Sequence, residues 1–434
     1  MSSVITACED DLKPDPENTV IVQTNKPPVA DAGKDHNIIL PVNSVELDGS
    51  ASSDPDNNTL RFFWRKLSGP LRYTISNDNM AKPKLTDLVQ GMYEFELKVS
   101  DSAGLHSKDT VLVAVNDTIL IADADIYVIG VATRNYLSER YAVLWKNGLE
   151  QILGNGSDFN DPVSIFVSGE DVYVAGRGSA ANHPGNGVVA VWKNGVVQNW
   201  TDGSNIAYAS FVFVSGPDVY VAGSEAHPVT RKPVAKIWKN GVAQNLTDGS
   251  TFAGANSVFL SEGNIYVAGF EVNSDGSYVA KIWKNGVSQN LTDGSNGGFA
   301  KSIFVADGNV YVTGYDQTAH MLWKNGVTQV YSASMLNSVF ISGSDIYVAG
   351  HRDYDYIGYP ALWKNGVTQN LDNALNYGEA NSVFVLDTNV YVAGWTLDQG
   401  TSAGTAKLWI NGSQRNLAPN SYTSAAAAVF VVKK

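Results

Sequence analysis

Four hundred and thirty-four residues exceed one ordinary domain and point to two or three. With 44% hydrophobic and 17% charged residues the chain can bury a sizeable core, which excludes wholesale disorder. The balance of 30 basic to 43 acidic residues, net −13, argues against nucleic acid or anionic lipid as the main partner. One cysteine excludes an internal disulfide framework and any Cys-based zinc site, and no run of 18 apolar residues is present to cross a membrane as a helix. Forty glycines, twenty tyrosines and ten tryptophans point to turn-rich β structure. The fold class expected is all-β: a sandwich followed by a ring of repeats.

Residues 1–25 come first and read as a tether. The lone Cys8 follows Val4-Ile5-Thr6-Ala7 and precedes Glu9-Asp10-Asp11. A small residue before Cys resembles a bacterial lipobox, in which the cysteine is lipidated. The acidic residues after it resemble the export signal of Bacteroidetes surface lipoproteins. Only seven residues precede Cys8, without a basic and then apolar leader, so the start is expected to lie upstream. The polar, Pro-bearing stretch that follows suits a flexible spacer, and acyl chains on Cys8 would make the only membrane contact. The address implied is the outer surface of the cell.

Residues 26–116 alternate apolar and polar positions in short runs such as Leu60-Arg-Phe-Phe-Trp64, Tyr93-Glu-Phe-Glu-Leu-Lys-Val99 and Thr110-Val-Leu-Val-Ala-Val115. Period-two patterning with turn signals every ten or so residues predicts a β-sandwich. Asn25-Lys-Pro-Pro-Val-Ala-Asp-Ala-Gly33, Leu47-Asp-Gly-Ser50, Ser53-Asp-Pro-Asp56, Phe63-Trp64 and Val99-Ser-Asp101 together resemble a PKD domain, with Trp64 as its core tryptophan. That resemblance implies calcium near the N-terminal edge, at Asn25, Asp54, Asp56 and Asp101. Carboxylates crowded at one point repel unless a hard cation takes their oxygens. The alternative is a tight Asp-Pro-Asp-Asn turn with Asx caps.

Residues 117–434 are a repeat. A strand word closing on glycine recurs seven times, as in Asp218-Val-Tyr-Val-Ala-Gly223, Asn264-Ile-Tyr-Val-Ala-Gly269 and Asp345-Ile-Tyr-Val-Ala-Gly350. The word Trp-Lys-Asn-Gly follows each, at Trp145, Trp192, Trp238, Trp283, Trp323, Trp363 and, as Trp-Ile-Asn-Gly, Trp409. A third word, Ser-Val-Phe, starts at Ser164, Ser210, Ser257, Ser302, Ser338, Ser382 and, degraded, Ala428. Each unit therefore reads as strands a, b, c and d, with an Asn-Gly hairpin between c and d, because a type I′ turn needs two positive φ angles. Four strands in about 45 residues, seven times over, predict a seven-bladed β-propeller. Residues 428–432 are expected to close the ring beside residues 125–130, with residues 118–121 serving the domain junction. The recurring tryptophans are expected between blades and the following lysines as solvated turn flanks. Residues 125–434 resemble the tandem Trp-Lys-Asn-Gly propellers of Bacteroidetes surface proteins, which implies fold and location but no catalytic residues.

In such a blade the a–b and c–d links share one face and the b–c and d–a links the other. The first pair is short and constant here while the second varies, so the variable face is the binding candidate. Tyr136, His183, His227, Tyr278, Tyr315, Asp316, Tyr354, Tyr356 and Trp395 lie on its b–c side. Aromatic rings stacking on sugars, with Asp, His and Arg bonding hydroxyls, would suit a polysaccharide. The same residue types suit an extracellular or envelope protein. No catalytic residue is assigned, the histidines lack metal-site spacing, and a monomer without nucleic acid is the expected state. The alternatives are a propeller glycoside hydrolase or polysaccharide lyase, with carboxylates or a His–Tyr pair at the channel mouth, and a structural part of an envelope assembly.

Overall fold

The computed structural model describes residues 24–40, 42–117, 123–133, 140–153, 161–180, 183–332, 335–354, 357–372, 376–397, 403–418, 421 and 423–434. Cys8, Tyr136, Tyr356, residues 118–121 and the side chain of Tyr354 lie outside that description. Among the described residues all regular structure is β. Two compact units divide the chain, one holding Asn43–Val89 and Tyr93–Val113, the other holding Ala114–Lys434.

The first unit is an Ig-like sandwich. Strands β1 (His36–Leu40), β3 (Arg61–Ser68), β6 (Gly91–Ser100) and β7 (His106–Asp117) form one sheet in the order β1-β7-β6-β3. Strands β2 (Val45–Glu46), β4 (Thr74–Ser76) and β5 (Lys84–Thr86) form the other. The alternation of β6 works as the sequence demands: Tyr93, Phe95, Leu97 and Val99 point inward and are wholly buried, with Trp64 beside them in the core. The polar ends of these aromatics are satisfied. Trp64 Nε1 donates to the Met80 carbonyl, and the Tyr93 hydroxyl donates to the Arg72 carbonyl while accepting from Val89 N.

The second unit is a seven-bladed propeller of four-stranded antiparallel sheets. Blades 2 to 7 span residues 161–199, 207–245, 253–290, 299–331, 335–370 and 378–416, each in the order a-b-c-d. Blade 1 takes b, c and d from residues 124–152 and its strand a from Thr423–Lys433. Ala428 pairs with Ile129 and Val432 with Asp125, so the C-terminal strand closes the ring where the sequence placed it. Closure inside one sheet leaves no open strand edge between the first and last blades.

Each word of the repeat has a physical cause. All seven Asn-Gly pairs adopt positive φ, near 51–53° at Asn and 80–83° at Gly, as a type I′ hairpin requires. The asparagine is also a clamp. Asn240 Oδ1 accepts from Val219 N and its Nδ2 donates to Asp218 Oδ1, each at 2.8 Å, and the backbone half of that clamp recurs in every blade. This is why Asp or Asn opens every strand b. The following lysines are not merely solvated, as the sequence reading had them. Lys193, Lys239 and Lys364 pair with Asp171, Asp218 and Asp345 at 2.7–2.8 Å and lie over the rings of Tyr173, Tyr220 and Tyr347. The seven tryptophans are at most 1% exposed, and Trp145 packs against Tyr391, Ala393 and Leu408 of the preceding blade. Truncating one such ring to alanine would cost about 3–5 kcal/mol.

The glycine ending strand b answers a bulge in strand a. Each strand a carries one extra residue at the same place, and these are Val163, Ser210, Asn256, Lys301, Asn337, Asn381 and Ala427. The bulge drives a carbonyl toward the facing glycine, so that a Cβ on Gly269 would sit 2.0 Å from Gly254 O. The third word shifts by one in blade 3: Ser210 is the bulge residue there and Phe211 fills the serine slot. Where serine occupies the slot it stitches blades together, as when Val212 N donates to Ser164 Oγ and Val339 N to Ser302 Oγ. The phenylalanine of the same word forms a closed circle. Phe166, Phe213, Phe259, Phe304, Phe340, Phe384 and Phe430 follow one another at 4.6–5.0 Å between ring centroids and line a central cavity of about 290 Å³.

Candidate functional site

The site begins where the repeat stops being constant. Directly after the glycine of strand b, the blades carry Val131, Arg177, Ser224, Phe270, Tyr315, His351 and Trp395. Opposite these, just before the bulge, strand a carries Ala425, Asp161, Tyr208, Gly254, Phe299, Met335 and Glu379. Fourteen positions thus form a varied ring on the b–c and d–a face, held by a framework that does not vary.

Blades 4 and 5 turn their part of the ring into one aromatic surface. Phe270 lies 5.6 Å from Tyr278 and 4.8 Å from Phe299, and Tyr278 lies 4.8 Å from Phe299. Phe299 stacks on Tyr315 at 5.2 Å and 21°, and Tyr315 reaches His320 at 5.4 Å. Tyr278 and Tyr315 were read from the sequence. Phe270, Phe299 and His320 were not, because strand a was taken as pure framework; register opposite the constant glycine is the signal that finds them.

A charged cluster adjoins that surface in blades 5 to 7. His351 Nε2 is 3.7 Å from Asp353 Oδ1, and His351 Nδ1 is 3.9 Å from Glu379 Oε1. The Nδ1 atoms of His320 and His351 are buried without a hydrogen-bond partner. Burial holds the His320 imidazole below its ordinary value; His351 pushes the same way and Asp353 opposes. Tyr315 is pushed up by burial. His320 and His351 therefore share one electrostatic neighbourhood rather than lying dispersed.

Other expected residues serve their own loops. His227 Nδ1 accepts from Val229 N and Thr230 N, which fixes the neutral tautomer and caps the turn. Asp316 Oδ1 accepts from Thr318 N, Thr318 Oγ1 and Ala319 N; burial pushes its carboxyl up, but these bonds prevail and hold it below the usual range. His183 is exposed at the start of strand c in blade 2. Glu225 and Glu271 are neutralised by Lys236 and Lys281 at 2.6 and 2.5 Å. Trp395 stands against Tyr377 at 5.3 Å and walls a cleft of about 380 Å³ with Thr133, Arg140 and Thr423, between blades 7 and 1.

The four positions linked to calcium do lie together in the sandwich, cross-tied by hydrogen bonds. Asn25 Nδ2 donates to Asp101 Oδ2 and Lys26 N to Asp56 Oδ2, both at 2.6 Å, while Asp56 N and Asn58 N donate to Asp54 Oδ1. Desolvation pushes the Asp101 carboxyl up, but the bonds from Asn25, Leu105, Gly104 and Ala103 prevail and hold it low. Asp54 Oδ2 is buried with no partner. Among the described residues no three Asp, Glu, His or Cys side chains group as a metal cage, so the donor set fits a calcium ion only in part.

Comparison with known proteins bears on the sandwich. Residues 32–115 match the PKD-domain family of KIAA0319-like proteins. Over 99 residues the chain is 46% identical to dyslexia-associated protein KIAA0319 of Homo sapiens, a stretch covering 22% of this chain and 9% of that protein. The solution structure of the PKD domain from KIAA 1837 protein is 39% identical with a TM-score of 0.19, covering 20% of this chain and 85% of that one. A puromycin-hydrolyzing peptidase of Mycobacterium tuberculosis is 11% identical with a TM-score of 0.49, covering 69% of this chain and 52% of that one. The propeller accordingly rests on its own strand order and closure. The chain spans about a tenth of the length of the curated relatives it first matches. The N-terminal unit, matched over residues 32–115, is a PKD domain.

Proposed function

We propose that the chain is a non-enzymatic binding protein of the cell surface, with the PKD domain as spacer and the variable propeller face as receptor for a polysaccharide. One observation carries this reading: the continuous aromatic surface from Tyr278 through Phe270, Phe299 and Tyr315 to His320 lies on the face where the repeat varies. Flat rings side by side match the apolar faces of successive sugars, and neighbouring polar groups match their hydroxyls. Lipidation at Cys8, in the manner of Bacteroidetes surface lipoproteins, supplies the anchor in this reading. A calcium ion at Asn25, Asp54, Asp56 and Asp101 is proposed on the buried, unpartnered Asp54 Oδ2. A glycan array probed with the folded chain tests the receptor role. Defined glycan hits that weaken in Tyr315→Ala support it, and a blank array with partner capture by pull-down transfers the face to an extracellular or envelope protein.

A second reading, polysaccharide lyase or hydrolase, is favoured by the meeting of Tyr315, His320, His351, Asp353 and Glu379 near the channel mouth. It requires chain cleavage by the purified protein. New reducing or unsaturated ends that vanish in His351→Asn would establish it, and intact polymer after prolonged incubation would remove it.

A further inference from the structure

The bulge slot of strand a differs among blades in a way that singles out one side chain. In blades 4, 6 and 7 the slot holds Asn256, Asn337 and Asn381, whose Nδ2 atoms donate to the strand-a carbonyls of Ala300, Ala380 and Ala426 in the following blade. Blade 5 carries Lys301 in that slot. Among the described residues its ammonium has neither a hydrogen bond nor an ion pair. Burial pushes it well down from the ordinary lysine range, and Glu379 opposes that only through space. An unpaired, desolvated ammonium costs stability, and asparagine in the same slot shows that the fold does not require it.

Its surroundings point to a ligand. His320 feels the charges of Lys301, His351, Asp353 and Asp316 together, so these groups share one space beside the aromatic surface. Phe299 precedes Lys301 by two residues on the same strand and stacks on Tyr315. A flat apolar platform, an unpaired ammonium and two partnerless imidazole nitrogens thus occupy one corner of the channel mouth. A sugar whose ring carries a carboxylate satisfies all three at once: its face stacks, its anion meets the ammonium, and its hydroxyls reach the imidazoles and the Asp353 and Glu379 oxygens. A glutamate-rich peptide supplies the charge without the stacking face. Neutral sugars supply the face and leave the ammonium unpaired.

We infer that Lys301, with His351, selects glycans bearing uronic acid residues over neutral ones, an inference that rests on the glycan-receptor reading above. The test is titration calorimetry of the full chain and of Lys301→Met against polygalacturonate, alginate, their carboxyl-reduced forms and poly-glutamate, after an array of neutral and uronate-bearing glycans. The expected result is about tenfold or greater preference for a uronate polymer over its carboxyl-reduced form, with the preference lost in Lys301→Met. That variant should bind the reduced polymer as the parent does and melt no lower than the parent, since it removes a charge without a partner. Equal binding of both forms, a preference for neutral glycans, or a preference that survives in Lys301→Met overturns the inference and leaves the receptor reading standing. Blank binding across all glycans, or tighter binding of poly-glutamate, overturns both.

Discussion

Gly269 illustrates how a single backbone clash writes a letter of the repeat. A methyl group there would meet Gly254 O at 2.0 Å, and neither strand can move without breaking the bulge. Gly308 offers the contrast, with φ of +69° and open space around it. Gly269→Ala is expected to cost about 3 kcal/mol or more and Gly308→Ala about 1–2, measured by denaturant unfolding. Equal costs would mean that the bulge carries no constraint. His320 makes a second prediction at this scale. Its folded value lies below the ordinary 6.5 because of burial, reinforced by His351 and Lys301 and opposed by Asp353 and Asp316. The unfolded chain therefore binds the proton more readily, so the stabilisation is complete above pH 6.5 and is lost as pH falls below it. His320→Gln should flatten the rise in stability between about pH 5 and 7, and an unchanged slope would contradict the assignment.

At the level of elements, the words of the sequence translate directly into strands and turns. The Asn-Gly hairpins, the buried tryptophans and the closing strand were legible because each follows from local chemistry repeated seven times. The site was half legible. Tyr278, Tyr315 and Trp395 stand out in b–c segments, whereas Phe270, Phe299, Lys301 and Glu379 hide within strands whose variation becomes visible only in the cross-strand register. His227 and Asp316 show the converse, since a polar loop residue can be wholly occupied in holding its own turn. At the N-terminal edge of the sandwich, acids that spacing brought together are tied by Asn25 and Asn58 amides. Calcium there predicts a melting temperature several degrees higher with the ion than with chelator, and no such difference in Asp54→Asn. Identical melting of the parent in both conditions would leave the edge a hydrogen-bonded latch alone.

At the scale of the whole molecule, closure by Thr423–Lys433 joins the last residues to the first blade, and each blade packs its tryptophan on a neighbour. The ring is therefore a circular array in which no blade is a natural end. Deleting residues 423–434 should strip strand a from blade 1, break the phenylalanine circle at Phe430 and lower the propeller's stability far more than an equal deletion in a surface loop, as read by melting. Retention of the parent melting temperature would contradict closure. A constant framework with a varied rim places the ring's specificity in what the rim touches, and the aromatic surface of blades 4 and 5 is its largest continuous stacking feature among the described residues. The most direct measurement is glycan binding by the full chain and by a Tyr278→Ala, Tyr315→Ala double variant that keeps the parent's fold. The account predicts saturable binding by the parent and at least about a hundredfold loss in the variant, whereas equal affinity of the two would place the receptor surface elsewhere.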